Sequence, residues 1–177
     1  METFKHLDKF TKTTLIIGLT LVLYGYLARL LGHYFLWESK SIGWTILFIG
    51  VIGFLSNRIK FKKSEKKKVV LEKIGIGLIV FILFVQTLLM VIIPFTDAYS
   101  VAKSYVKNDS IIKSQLGDII SFGLIPTGSI QKTTDSSGEY GNATINLTIK
   151  GDKKYMDATI YVVKYADTTA WKVEEIQ

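Results

Sequence analysis

The run IGIGLIVFILFVQTLLMVIIPF, Ile74 to Phe95, holds 22 residues without a charge. A helix apolar on every side is either the centre of a large domain or a segment in lipid. A chain of 177 residues is too short for the first option. As a helix the run is long enough to cross the ~30 Å hydrocarbon core of a bilayer. Gln86 is its one strongly polar side chain, and Pro94 stands where a helix should leave the membrane.

Two more apolar runs precede it, so the sequence predicts a three-helix membrane anchor over residues 1–95, with spans at 13–36, 41–57 and 74–95. Arg29 falls in the last third of the first span, where it can reach the interface beside Tyr34 and Trp37. A cleaved signal peptide is not expected: the apolar core is too long, no small-x-small site follows it, and two spans come after. None of the three spans contains a carboxylate. His33 near the outer end of the first reads as an interfacial residue, and Gln86 as a hydrogen-bonding group between helices.

Between the second and third spans lies RIKFKKSEKKK, residues 58–68, with seven basic side chains and one acid. Taken alone it resembles a nucleic-acid patch or a localisation signal. Between two spans it becomes a topology determinant, because basic loops stay on the cytoplasmic side. Arg58, Lys60, Lys62, Lys63, Lys66, Lys67 and Lys68 are thus expected to set topology and to touch lipid headgroups. The ESK connector between the first two spans is neutral. The expected arrangement is an integral inner (cytoplasmic) membrane protein with a cytoplasmic N-terminus and a periplasmic or extracellular C-terminal domain. The isoleucine- and lysine-rich composition points to a bacterial source.

Glycine recurs at seven-residue intervals in the first two spans, at Gly18, Gly25 and Gly32 and again at Gly43 and Gly50, with Gly53 nearby. Such a repeat keeps small residues on one helix face and predicts a tight antiparallel hairpin.

After Thr96 the character of the chain changes. Residues 1–95 hold 13 Lys/Arg against 5 Asp/Glu, whereas residues 96–177 hold 9 against 10. The excess positive charge therefore belongs to the anchor, and no nucleic-acid partner is expected for the second half. TDAYSVAKSYVKNDSIIKSQLGD predicts two helices, capped by Asp97 or Thr96 and by Asp109 or Ser110, the second stopping at Gly117. From Asp118 the period becomes two. DIISFGLI, SIQKTTD, EYGNATINLTIKG, KKYMDATIYVVKY and AWKVEEIQ are separated by turn residues, PTG among them. The expectation for 96–177 is a small α+β domain, one or two N-terminal helices packed on an antiparallel β meander.

Tyr99 and Ala102 on the leading helix, Leu116 and Gly117 closing the next, Gly128, Gly141 and Ala143 opening a long strand, Gly151 at the following turn and Trp171 in the last strand form a pattern. Across residues 96–177 it resembles the cytochrome c oxidase assembly factor one family, whose domain is similar to that of an accessory subunit of the mitochondrial presequence translocase. No proline follows Gly117 and no second glycine follows Gly151, two departures from the family pattern. The resemblance implies an assembly factor for a respiratory oxidase. The residues themselves read as structural: turn glycines, a helix end, and an alanine at 143 leaving room for a bulky neighbour such as Trp171.

The chain has no cysteine, and its two histidines both lie in the first half. Asp152 with Asp157 and Glu174 with Glu175 are the carboxylate pairs that spacing allows, and they read as exposed turn and edge charges. Asn108, Asn142 and Asn146 begin N-x-[ST] sequons, relevant only in a eukaryotic secretory pathway. No enzymatic role, cofactor or metal is expected. The leading expectation is a membrane-anchored interaction module that binds other membrane proteins through a sheet edge or the helix layer. The alternative is a sensor with a small-ligand pocket between helix and sheet.

Overall fold

The computed structural model describes residues 7–136, 138–168 and 170–177. These fall into two compact units, one ending at Val85 and the other running Gln86–Gln177.

Helix α1 covers Lys9–Leu30, α2 Ser39–Ser64 and α3 Val70–Ile92, the last continued by a 3-10 turn at Ile93–Phe95. Each of the three is long and apolar enough to cross a membrane. Their ends differ from the predicted spans for local reasons. Asp8 caps α1 by accepting the Thr11 N–H at 2.6 Å, so the helix starts before Thr13. It stops before Gly32, which has φ +65. In α2 the helix continues past Asn57 through the first half of the basic run, and Lys62 and Lys63 in its last turn complement the helix dipole. Lys66, at φ 56, then turns the chain toward α3. Pro94, which has no N–H to donate, lies in the 3-10 turn that ends the third span.

The predicted glycine hairpin is present. A β-carbon placed on Gly18 would lie 2.6 Å from the Leu47 backbone nitrogen, and one on Gly43 2.7 Å from that of Val22. Gly25 meets the Lys40 backbone and Gly50 the Leu15 backbone in the same way. The two helices therefore run antiparallel with backbone against backbone. Gly32 does not join them. It sits in the connector with open space around it, because α1 has already ended.

In the second unit, Thr96 caps α4 (Asp97–Asn108) by accepting the Tyr99 N–H at 3.3 Å. Asp109 caps α5 (Ser110–Leu116) by accepting the Ile112 N–H at 2.8 Å. The strands are β1 (Ile119–Phe122), β2 (Thr127–Asp135), β3 (Gly138–Gly151), β4 (Tyr155–Lys164) and β5 (Lys172–Ile176), all antiparallel.

The sheet corrects one reading of the sequence. PTG does not reverse the chain. β1 pairs with the Ile149–Gly151 end of β3 and β2 with Gly138–Asn146, so the two lie end to end along one edge. Gly123 remains attached by donating to the Thr148 carbonyl at 2.7 Å, and Pro126, lacking an N–H, falls in the break. The sheet is a meander whose first strand is interrupted.

Alternation places Ala143, Ile145, Leu147 and Ile149 of β3 and Ala158, Ile160 and Val162 of β4 on the buried face. Tyr99, Ala102 and Val106 of α4 and Leu116 of α5 cover them. The opposite face is polar and cross-linked by side chains: Thr148 donates to Asp157 at 2.7 Å and Thr159 to Asn146 at 2.8 Å. Ile93 and the partly buried Leu89 also join the core of the second unit, so the end of the third span belongs to this unit.

Candidate functional site

The residues singled out by the sequence pattern assemble into three places in the second unit. Tyr99 and Ala102 are buried on the sheet-facing side of α4, and burial pushes the Tyr99 hydroxyl pKa up. Lys103 lies 5.4 Å from the Tyr99 ring centroid and 5.2 Å from that of Phe122. Leu116, Gly117 and Gly151 meet where α5 ends against the β3–β4 hairpin. Gly117 takes φ 79 and ψ −156, a conformation essentially reserved to glycine. A β-carbon on Gly151 would run into the Leu116 carbonyl, which accepts the Lys153 N–H at 3.0 Å.

Gly141 and Trp171 form the third place. A β-carbon on Gly141 would lie 3.0 Å from the Trp171 ring carbon Cη2, so this glycine makes room for the ring. Ala143 itself is buried between Ile130 and Val162 in the ladder. Gly128 stands apart in β2, packed against the Thr144 carbonyl.

Beside Trp171 lies a groove of about 570 Å³ between α4 and β5. Val101, Tyr105, Trp171 and Val173 supply its apolar walls, with Ser100 and Ser104 among its polar groups. β5 is also the last strand of the sheet on that side, so its outer backbone groups have no neighbouring strand among the described residues. The opposite edge belongs to β1 and β2.

The carboxylate pairs that spacing allowed do not form a site. Asp157 is held across the sheet by Thr148, and Gln177 donates to Glu175 at 2.8 Å. Among the described residues no group of three or more His, Asp or Glu could hold a metal ion. One charge cluster in this unit is one the sequence did not flag. Glu139 accepts from Lys132 at 2.7 Å and from Lys164 at 2.5 Å, and these bonds, Lys132 first, hold its carboxyl below the usual range.

In the first unit the basic run divides. Arg58 Nε lies 3.1 Å and Lys62 Nζ 2.6 Å from one carboxylate oxygen of Glu72. Lys67 pairs with Glu65 at 2.7 Å. Lys60, Lys63, Lys66 and Lys68 are exposed. Glu72 precedes the predicted third span at 74–95, but α3 begins at Val70, and Glu72 in its first turn is only 4% exposed. No periodicity in the sequence ties residue 72 to residues 58 and 62, because a connector of unknown path intervenes. On the same unit, Asp8 accepts from Thr11 and from Asn57, the latter at 3.2 Å, and these bonds keep its carboxyl below the ordinary range. Toward the other end of α1, Arg29 donates to the Trp37 carbonyl and lies 4.9 Å from the Trp37 ring centroid.

No family model matches the chain, and no curated protein and no solved structure matches it either.

Proposed function

We propose that this chain is a membrane-anchored interaction module, with its α+β unit on the outer side of a cytoplasmic membrane and residues 58–68 on the inner side. The observation that carries the reading is the groove between α4 and β5 beside an open sheet edge. An edge strand offers unpaired backbone groups to an added strand, and a flanking groove gives alternate side chains of that strand a place to bind. Other membrane proteins are the natural partners of a module tethered by three apolar helices. The charge asymmetry between the two halves of the chain supports the orientation.

The resemblance of residues 96–177 to the oxidase assembly factor family makes a respiratory oxidase the first client to test. Affinity-tagged full-length protein, extracted in mild detergent, is expected to recover oxidase subunits. Normal oxidase assembly in cells lacking the chain, with no subunits recovered, would exclude that client. For orientation, a Ser64→Cys variant should resist a membrane-impermeant thiol reagent in intact cells and react after lysis.

The apolar walls of the same groove favour a second reading, a sensor for a small apolar ligand. Native mass spectrometry of the purified protein separates the two. A retained small molecule of constant mass, lost in a Trp171→Ala variant, would support sensing.

A further inference from the structure

The membrane-facing basic run contains more cations than its own carboxylates use. Glu72 engages Arg58 and Lys62, and Glu65 engages Lys67. The second oxygen of Glu72 is buried and accepts no hydrogen bond among the described residues, so this carboxylate turns its contacts toward α2 alone. Such a pair, with Glu72 4% exposed, joins the root of α3 to the end of α2. It is a structural clamp that engages Lys62 and the Nε of Arg58.

Lys60 is exposed but faces Asp8, whose carboxyl it helps Thr11 and Asn57 to hold low, whereas Lys63, Lys66 and Lys68 differ. All three are exposed, lie within six residues of one another, and have no carboxylate partner among the described residues. Lys63 is in the last turn of α2, and Lys66 takes a left-handed backbone conformation where the chain turns toward α3. The turn places them between two helices that each qualify as membrane spans. At that depth, the anions a cation meets are lipid phosphates.

We propose that the α2–α3 connector is a docking surface for anionic phospholipid, in which Lys63, Lys66 and Lys68 hold headgroup phosphates while Lys62 and the Nε of Arg58 hold the clamp on Glu72. Charge complementarity selects the partner, because the three lysines carry positive charge that no ion pair among the described residues neutralises. The inference rests on the reading of α1–α3 as membrane spans.

The test uses the full chain in lipid nanodiscs containing phosphatidylglycerol or phosphatidylcholine, reading the thermal midpoint and the lipid retained in native mass spectrometry. Wild type should retain phosphatidylglycerol in preference to phosphatidylcholine and melt higher in it. The triple variant Lys63→Gln, Lys66→Gln, Lys68→Gln should lose about fivefold in anionic-lipid affinity per lysine, roughly a hundredfold in all. Its midpoint in phosphatidylcholine should not change. Glu72→Gln should lower the midpoint in both lipids and keep the preference. A triple variant that keeps the preference overturns the assignment. So does inorganic phosphate or a short DNA duplex that stabilises wild type as much as phosphatidylglycerol does. Protein recovered in the soluble fraction of cells would sink the membrane reading as well, whereas membrane-bound protein with no lipid preference sinks this inference alone.

Discussion

The α1–α2 hairpin and the core of the second unit are packed by opposite means. In α1 and α2 the buried residues are small, Gly18, Gly25, Ala28, Gly43 and Gly50 among them, with Val22 the one larger aliphatic side chain, and the helices touch largely through backbone. In the second unit they are Leu116, Ile145, Ile149, Ile160 and Val162, all at 0% exposure. The difference follows from the solvent each unit is built for. In lipid, burying a leucine gains nothing over leaving it exposed, so helices associate where small residues let many atoms come close. In water, each large apolar side chain removed from solvent stabilises the fold by about 1.5–3 kcal/mol, so bulk is placed inside. Exposed leucines on α1 and α3 would be liabilities in water and are ordinary in a bilayer.

The comparison can be broken in several ways. Ile160→Ala should cost the second unit about 2–5 kcal/mol, the range for emptying a fully buried isoleucine site. Hydrogen exchange on the full chain in micelles should show lost protection in β3 and β4 and none in α1 and α2. Equal losses in both units would mean that they do not pack independently.

Gly25→Leu should cost the hairpin about 1–3 kcal/mol through overpacking, and more if the helices separate. The control is Gly77→Leu in α3, where an added β-carbon meets nothing within 4 Å. Gly77→Leu should leave the thermal midpoint unchanged. A matching loss at both positions would show that helix propensity, not close approach, governs these glycines.

Asp109→Ala removes the cap of α5 and should cost about 1 kcal/mol, confined to the second unit. Fluorescence of Trp171 against a background lacking Trp37 and Trp44 would report it.

The smallest expected effect is the pH dependence of Glu139. Its folded carboxyl titrates below the ordinary glutamate value because Lys132 and Lys164 bond the charged form. Such a group stabilises the fold above the ordinary value; the contribution shrinks as pH falls below it and is gone below the folded value. Glu139→Gln should remove that small stabilisation at neutral pH, converge with wild type at acid pH, and so flatten that part of an acid-unfolding curve. An identical acid limb in wild type and variant would assign the acid sensitivity to other carboxylates, Asp8 among them.

Much of the fold was legible because the relevant signals are local. The uncharged run at Ile74–Phe95, the seven-residue glycine interval and the alternation through β3 and β4 each depend on neighbours within a few residues. The helix caps at Thr96 and Asp109 were among the candidates for the same reason. The end-to-end placement of β1 and β2 was not legible. Pro126-Thr127-Gly128 has turn chemistry, and only the pairing of both strands with β3 shows that the chain continues in the same direction. Trp171 was identified, but the close approach of Gly141 to its ring was not, because strand register decides which small residues meet the ring. Glu72 and Glu139 were missed because ion pairs across a connector or between strands leave no trace in sequence spacing.

By itself, then, the sequence determined the three apolar helices, the segregation of charge between the two halves of the chain, the glycine faces of the hairpin and the alternation of a sheet domain. Each of these is a periodicity or a composition, which one strand or helix expresses alone. Only the tertiary structure decided the interrupted edge strand, the groove beside Trp171, the cluster at Glu139 and the division of RIKFKKSEKKK into clamp and free lysines. Those depend on register and on how distant segments meet, and a one-dimensional pattern carries neither.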